Sequence, residues 1–111
     1  MSLSNRTPHA ITLFLAGGEA TVFPPSGTVA RATSIQQVAC DGIQGLPCVT
    51  PPEFSGADGI EGEEPILVSA LVAPIAAKVR PGVFSPDTGP DSVVRNAAGE
   101  ILGVRRLIRW S

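Results

Sequence analysis

Ala10-Ile11-Thr12-Leu13-Phe14-Leu15-Ala16-Gly17-Gly18-Glu19-Ala20-Thr21-Val22-Phe23 is the stretch on which the fold class turns. Ile11, Leu13 and Leu15 alternate against Thr12, the two-residue period of a strand with one buried face. Ala16-Gly17-Gly18-Glu19 marks a turn, and Ala20 to Phe23 reads as the return strand of a hairpin. Pro24-Pro25-Ser26-Gly27 ends that unit, because neither proline can donate to a ladder. Thr28 to Ile35 follows as a third strand, with Val29, Arg31, Thr33 and Ile35 on one side and Ala30 and Ala32 on the other. An arginine among apolar neighbours places this strand at an edge or on a half-exposed face.

Beyond it the apolar signal weakens. Cys40 to Gly45 is turn-like and Leu46 to Thr50 a short strand at best. Residues 51–65 hold Glu53, Asp58, Glu61, Glu63 and Glu64 with no basic residue, and are expected to form a mobile acidic loop. Ile66-Leu67-Val68 resumes a buried strand. Ser69 can cap a helix from Ala70 to about Lys78, with Val72, Ile75 and Val79 on its apolar face. Pro74 inside that helix deletes one backbone bond, so the helix is either kinked there or starts near Pro74. Arg80-Pro81-Gly82 ends it. Val83 to Ser85 is another strand and Pro86 to Asp91 a rigid polar loop. Ser92 to Arg95 and Ile101 to Trp110 flank Asn96-Ala97-Ala98-Gly99-Glu100, a hairpin signature. The expected fold is a small, strand-rich α+β single domain over residues 1–111: a mixed or antiparallel sheet, one helix and a C-terminal β-hairpin.

Composition narrows the function classes. Hydrophobic residues make up 43% of the 111, yet there are four Phe, one Trp and no Tyr, so the core must be aliphatic. The 12 Gly and 11 Pro are scattered between apolar runs and read as turn punctuation. A net charge of −2 with 16% charged residues offers no general attraction to nucleic acid or an acidic membrane, so neither partner is expected. The longest apolar run, Ile66 to Val79, is interrupted by Ser69, Pro74 and Lys78 and is too short to span a bilayer. Met1 to Pro8 carries one Arg and no following apolar signal segment, so a cytoplasmic location is expected. Cys40 and Cys48 fit a disulfide between strand ends, but two reduced thiols is the preferred reading. With one histidine they cannot complete a four-ligand zinc site, and no metal or cofactor is expected.

Three groups of residues invite a chemical reading. Asp87-Thr88-Gly89 is the triplet that carries the catalytic aspartate of pepsin-like and retroviral proteases. Those enzymes place the loop early and follow it with a flap, whereas only 22 residues follow Gly89, between Pro86 and Pro90 rather than small apolar residues. The preferred reading is an Asx-type turn with Gly89 at positive φ. His9 is the only histidine, the side-chain type whose unperturbed pKa lies near neutrality, but it has no orienting carboxylate nearby in sequence, so a structural histidine fixed by Pro8 is preferred. Neither a nucleophile elbow nor a phosphate-binding glycine loop is present. Arg95, Arg105, Arg106 and Arg109 cluster near Trp110, and Arg105 and Arg109 would share one face of the last strand within reach of one anion. Against this stand edge-strand protection and pairing with the acidic segment at Glu61 to Glu64.

Five segments in order carry a resemblance: Asn5-Arg6-Thr7-Pro8-His9-Ala10-Ile11-Thr12, Pro24-Pro25-Ser26-Gly27-Thr28-Val29-Ala30-Arg31, Leu67-Val68-Ser69-Ala70-Leu71-Val72-Ala73, Pro86-Asp87-Thr88-Gly89-Pro90, and Val94-Arg95-Asn96 through Gly103-Val104-Arg105-Arg106-Leu107. With these the chain resembles a group of small proteins encoded by bacterial viruses and prophages. It departs at Arg6, where relatives usually carry Leu, and at Pro74, which they usually lack. The resemblance implies expression in a bacterial host cytoplasm from a mobile element. It carries over no catalytic residue.

The leading expectation is therefore a non-enzymatic accessory or binding protein of phage origin, taking a small anion or docking on a host protein. Its ligand residues would be His9, Asp87, Thr88, Arg105 and Arg109. The alternatives are a small hydrolase using Asp87 and His9 as an acid–base pair, and a structural subunit that assembles as a homo-oligomer.

Overall fold

The computed structural model describes residues 3–35, 37–40 and 43–111. Its strands are β1 (Ser4–Asn5), β2 (Ile11–Phe14), β3 (Ala20–Phe23), β4 (Arg31–Ile35), β5 (Ala39–Cys40), β6 (Cys48–Val49), β7 (Glu53–Asp58), β8 (Ile66–Leu67), β9 (Val83–Pro86), β10 (Val93–Arg95), β11 (Ile101–Val104) and β12 (Leu107–Arg109). One short helix, α1 (Ala73–Ala77), lies between β8 and β9. The protein is thus strand-rich, with mixed sheets and, among the described residues, a single α-helix and one 3-10 turn at Ile43–Gly45.

One four-stranded sheet runs in the order β1-β8-β9-β12, parallel except for the antiparallel last pair. A second runs β10-β11-β2-β3 and joins two antiparallel pairs through a parallel contact at Val104↔Leu13. β2 and β3 are the two strands read from the opening stretch, paired from Ile11↔Phe23 to Phe14↔Ala20. The core is aliphatic: Ile66, Val68, Val72, Ala73, Ala76 and Val83 are buried together, and Ala32, Ala57 and Ile60 pack against them.

α1 starts at the proline rather than bending around it. Pro74 occupies the first turn, where its missing N–H has no intrahelical partner to lose. The preceding residues form a turn in which the Ser69 carbonyl accepts from the N–H groups of Val72 and Ala73, and the Ser69 hydroxyl from that of Val72 at 3.3 Å. The helix covers five residues, not nine, so the buried face shifts to Val72, Ala73 and Ala76. Val79, expected on that face, lies past the helix end and is 73% exposed.

The acidic segment 51–65 departs most from expectation, because it is not structureless. β7 pairs with β4 from Arg31↔Asp58 to Ile35↔Glu53, with a bulge between Thr33 and Ser34. Its charges lie at the two ends of the strand, while Phe54, Gly56 and Ala57 are half-buried. The rest of the segment folds around two arginines. Arg6 donates to the carbonyls of Gly59 (2.7 Å) and Glu61 (3.0 Å) and to the Glu64 carboxylate (2.6 Å). Arg80 donates to the carbonyls of Ile60 and Glu64. Gly59 is required at this point, since at φ 76° a side chain there would meet the Val29 carbonyl.

The described residues between Arg31 and Asp58 therefore run out and back as a two-stranded ribbon. Thr50 bonds to Val38 through main chain and hydroxyl, and β5 and β6 continue the pairing. Cys40 and Cys48 stand directly opposite one another, with Cα atoms 5.6 Å apart, and are joined as a disulfide. This corrects the preference for free thiols: the eight-residue spacing carried no information about register. The ribbon also dominates the shape, 54 × 38 × 22 Å with a radius of gyration of 16.8 Å, against about 13 Å for a compact domain of this length.

Candidate functional site

The turn that carries His9 is built around Asn5, which is 1% exposed. Its side-chain NH2 donates to the carbonyls of His9 and Phe23, both at 2.8 Å. Its side-chain oxygen accepts from the Thr7 N–H at 2.9 Å and the Thr7 hydroxyl at 2.6 Å. One buried amide thus ties Thr7-Pro8-His9 to the end of β3. No buried side-chain nitrogen or oxygen among the described residues lacks a partner, so the interior presents no unmet polar group to a ligand.

Three open clefts follow one another across the surface. The largest, about 380 Å³, lies at the base of the ribbon between Val29, Ala32 and Phe54 on one side and Leu71 and Val72 on the other. It meets a second cleft of about 300 Å³ at Thr7, Pro8 and Ser69, where His9 and Thr88 line the wall. That cleft in turn shares Ile11, Pro86 and Thr88 with a third, about 180 Å³, over β11. The walls are mainly aliphatic.

Of the five expected ligand residues, the structure brings His9 and Thr88 to one cleft. Asp87 is turned to other work. One carboxylate oxygen accepts the Gly89 N–H at 3.0 Å, the expected Asx turn, although Gly89 does not take a positive φ. The other accepts from the Arg106 guanidinium at 2.5 Å. The Arg106 guanidinium and the Gly89 N–H hold Asp87 below the ordinary aspartate range, and the same ion pair raises Arg106. A carboxylate engaged at both oxygens and held ionised is poorly placed to share a proton with His9.

Arg105 and Arg109 do not share a strand face. Buried Ser92 breaks the last strand in two: its carbonyl and hydroxyl accept from the Arg105 N–H at 2.8 and 3.1 Å, and its hydroxyl from the Arg106 N–H at 3.2 Å. β11 stays with β10, and β12 moves to β9 in the other sheet. Neither Arg105 nor Arg109 lines any of the three clefts. Trp110 is tied down by an indole N–H donated to buried Ser85 at 2.9 Å. Among the described residues no three His, Cys, Asp or Glu side chains converge as metal ligands. No described helix is long and apolar enough to cross a membrane.

Asn5 and Ser92 were missed by sequence reasoning because their partners are distant in the chain. The ribbon tip was missed for another reason. Apart from Cys48, every described side chain from Thr33 to Glu53 whose burial is resolved is exposed, including Ile35, Val38, Leu46 and Val49. The available signal was compositional: Asp41 is the only charged residue between Arg31 and Glu53. Comparison with protein-family models, with curated proteins and with solved structures returned no match.

Proposed function

We propose that this chain is a protein-docking assembly subunit of phage or prophage origin, acting through its surface rather than by catalysis. The observation that carries the reading is surface area. The chain exposes 7362 Å², whereas a compact 11.4 kDa monomer exposes about 5,800 Å². The excess of about 1,600 Å² is what a chain buries through two interfaces of ordinary size, roughly 800 Å² each. Much of it lies on a two-stranded ribbon, an element that is at best marginal alone in water and gains stability when its apolar residues are covered. The resemblance to phage-encoded proteins supports the origin and synthesis in a bacterial host.

A small-anion site at His9 and Thr88 has less support, because that cleft gathers one imidazole and the hydroxyl residues Thr7, Ser69 and Thr88 but neither Arg105 nor Arg109. Light scattering of the purified full chain tests the assembly reading. A mass that is a multiple of the monomer supports it. A monomer at every concentration, with no mass gain when mixed with host lysate, removes it.

A further inference from the structure

We propose that the partner is a second copy, and that the apolar ribbon tip of one chain seats in the cleft at the ribbon base of the next. This rests on the assembly reading and adds the partner and the contact. The tip offers Val38, Leu46 and Val49, exposed by 64%, 66% and 55%. The cleft of about 380 Å³ offers Phe54 and Val72 below a Leu71 rim that is itself 59% exposed. The cleft floor is mainly apolar, with Arg6, Arg31 and three hydroxyl residues also on its walls, and its volume is that of a site for a small apolar ligand, enough for a few aliphatic side chains.

A chain does not fill its own cleft: the cleft lining ends at Ser34 and Phe54, while Val38, Leu46 and Val49 lie beyond the last ladder pair, Ile35↔Glu53, and are exposed. The Cys40–Cys48 disulfide encloses Leu46 and ties together the strands that carry Val38 and Val49, which lowers the entropy lost on docking. The contact is heterologous, because the donated and received surfaces differ. Each chain therefore takes part in two contacts, one as donor and one as acceptor, and two contacts account for the excess surface.

The test uses light scattering on the full chain and two single variants. Leu46→Glu disables the tip and Leu71→Glu disables the cleft. Each is expected to weaken self-association by about 30-fold or more, the size of a central apolar contact. Mixed in equal amounts, they should recover a one-to-one complex, since one chain keeps an intact cleft and the other an intact tip. Val79→Glu, exposed and on neither surface, should assemble as the parent does. Leu46→Ser and Leu71→Ser repeat the test with smaller perturbation, and circular dichroism checks that every variant is folded. Self-association unchanged in both Glu variants, or two non-associating variants that fail to recover when mixed, overturns the tip-in-cleft contact while leaving assembly standing. A parent chain that does not self-associate at any concentration overturns the second-copy partner.

Discussion

Asn5 meets four polar groups at once, and most of what positions the His9 turn depends on it. Asn5→Ala leaves the His9 and Phe23 carbonyls and the Thr7 N–H without their amide partner in a buried place. Unmet buried groups cost about 1–3 kcal/mol each before relaxation. The variant is expected to lose about 2–4 kcal/mol in urea unfolding, with Asn5→Asp close behind because a carboxylate cannot donate to the two carbonyls. Asp87 and Glu64 set the response to acid. Arg106 and the Gly89 N–H depress the first, and its own main-chain N–H together with Arg6 depresses the second. A depressed carboxylate adds stability above its unfolded value, about 3.9 for Asp and 4.3 for Glu, and that stability goes as pH falls through the lower folded value. Unfolding free energy should therefore be flat with respect to these two groups near neutrality and decline below about pH 4. Asp87→Asn together with Glu64→Gln should flatten that decline, and an unchanged acid limb would contradict the assignment.

At the scale of elements, what the sequence reveals depends on where each element finds its partners. β2, β3 and β9 are legible because their period-two patterns and flanking glycines and prolines are local. β7 is not, since Glu53-Phe54-Ser55-Gly56-Ala57-Asp58 begins and ends on charge and owes its order to pairing with β4. The helix is legible down to Pro74, whose two allowed outcomes only tertiary packing separates. The last strand reads as one piece because the Ser92 hydroxyl that divides it lies 13 and 14 positions from the amides it accepts. The site follows suit: His9 and Thr88 line one cleft, while the expected shared face of Arg105 and Arg109 is lost with the strand break. The seam that joins the two antiparallel pairs of the second sheet depends on Gly103. A Cβ there would press on the Thr12 carbonyl and the Phe14 ring. Gly103→Ala is expected to destabilise the protein by about 1–3 kcal/mol in the same urea assay. It should also raise amide exchange in β11 and β2 ahead of β8 and β9. Equal exchange in both sheets would show that the seam is not the weak point.

For the whole molecule, area and shape agree. A radius of gyration of 16.8 Å and a surface of 7362 Å² both exceed what a self-contained chain of this size needs. The surplus is carried by a ribbon whose residues beyond its base have nothing of their own chain to pack on. Closure by neighbours gives these exposed aliphatic side chains a physical reason. The decisive measurement is small-angle X-ray scattering with in-line light scattering, across a dilution series of the unmodified chain. The account predicts a particle heavier than 11.4 kDa whose mass falls towards that of one chain on dilution. A particle that stays at 11.4 kDa throughout, and scatters with a radius of gyration near 16.8 Å, would contradict closure by further copies of this chain.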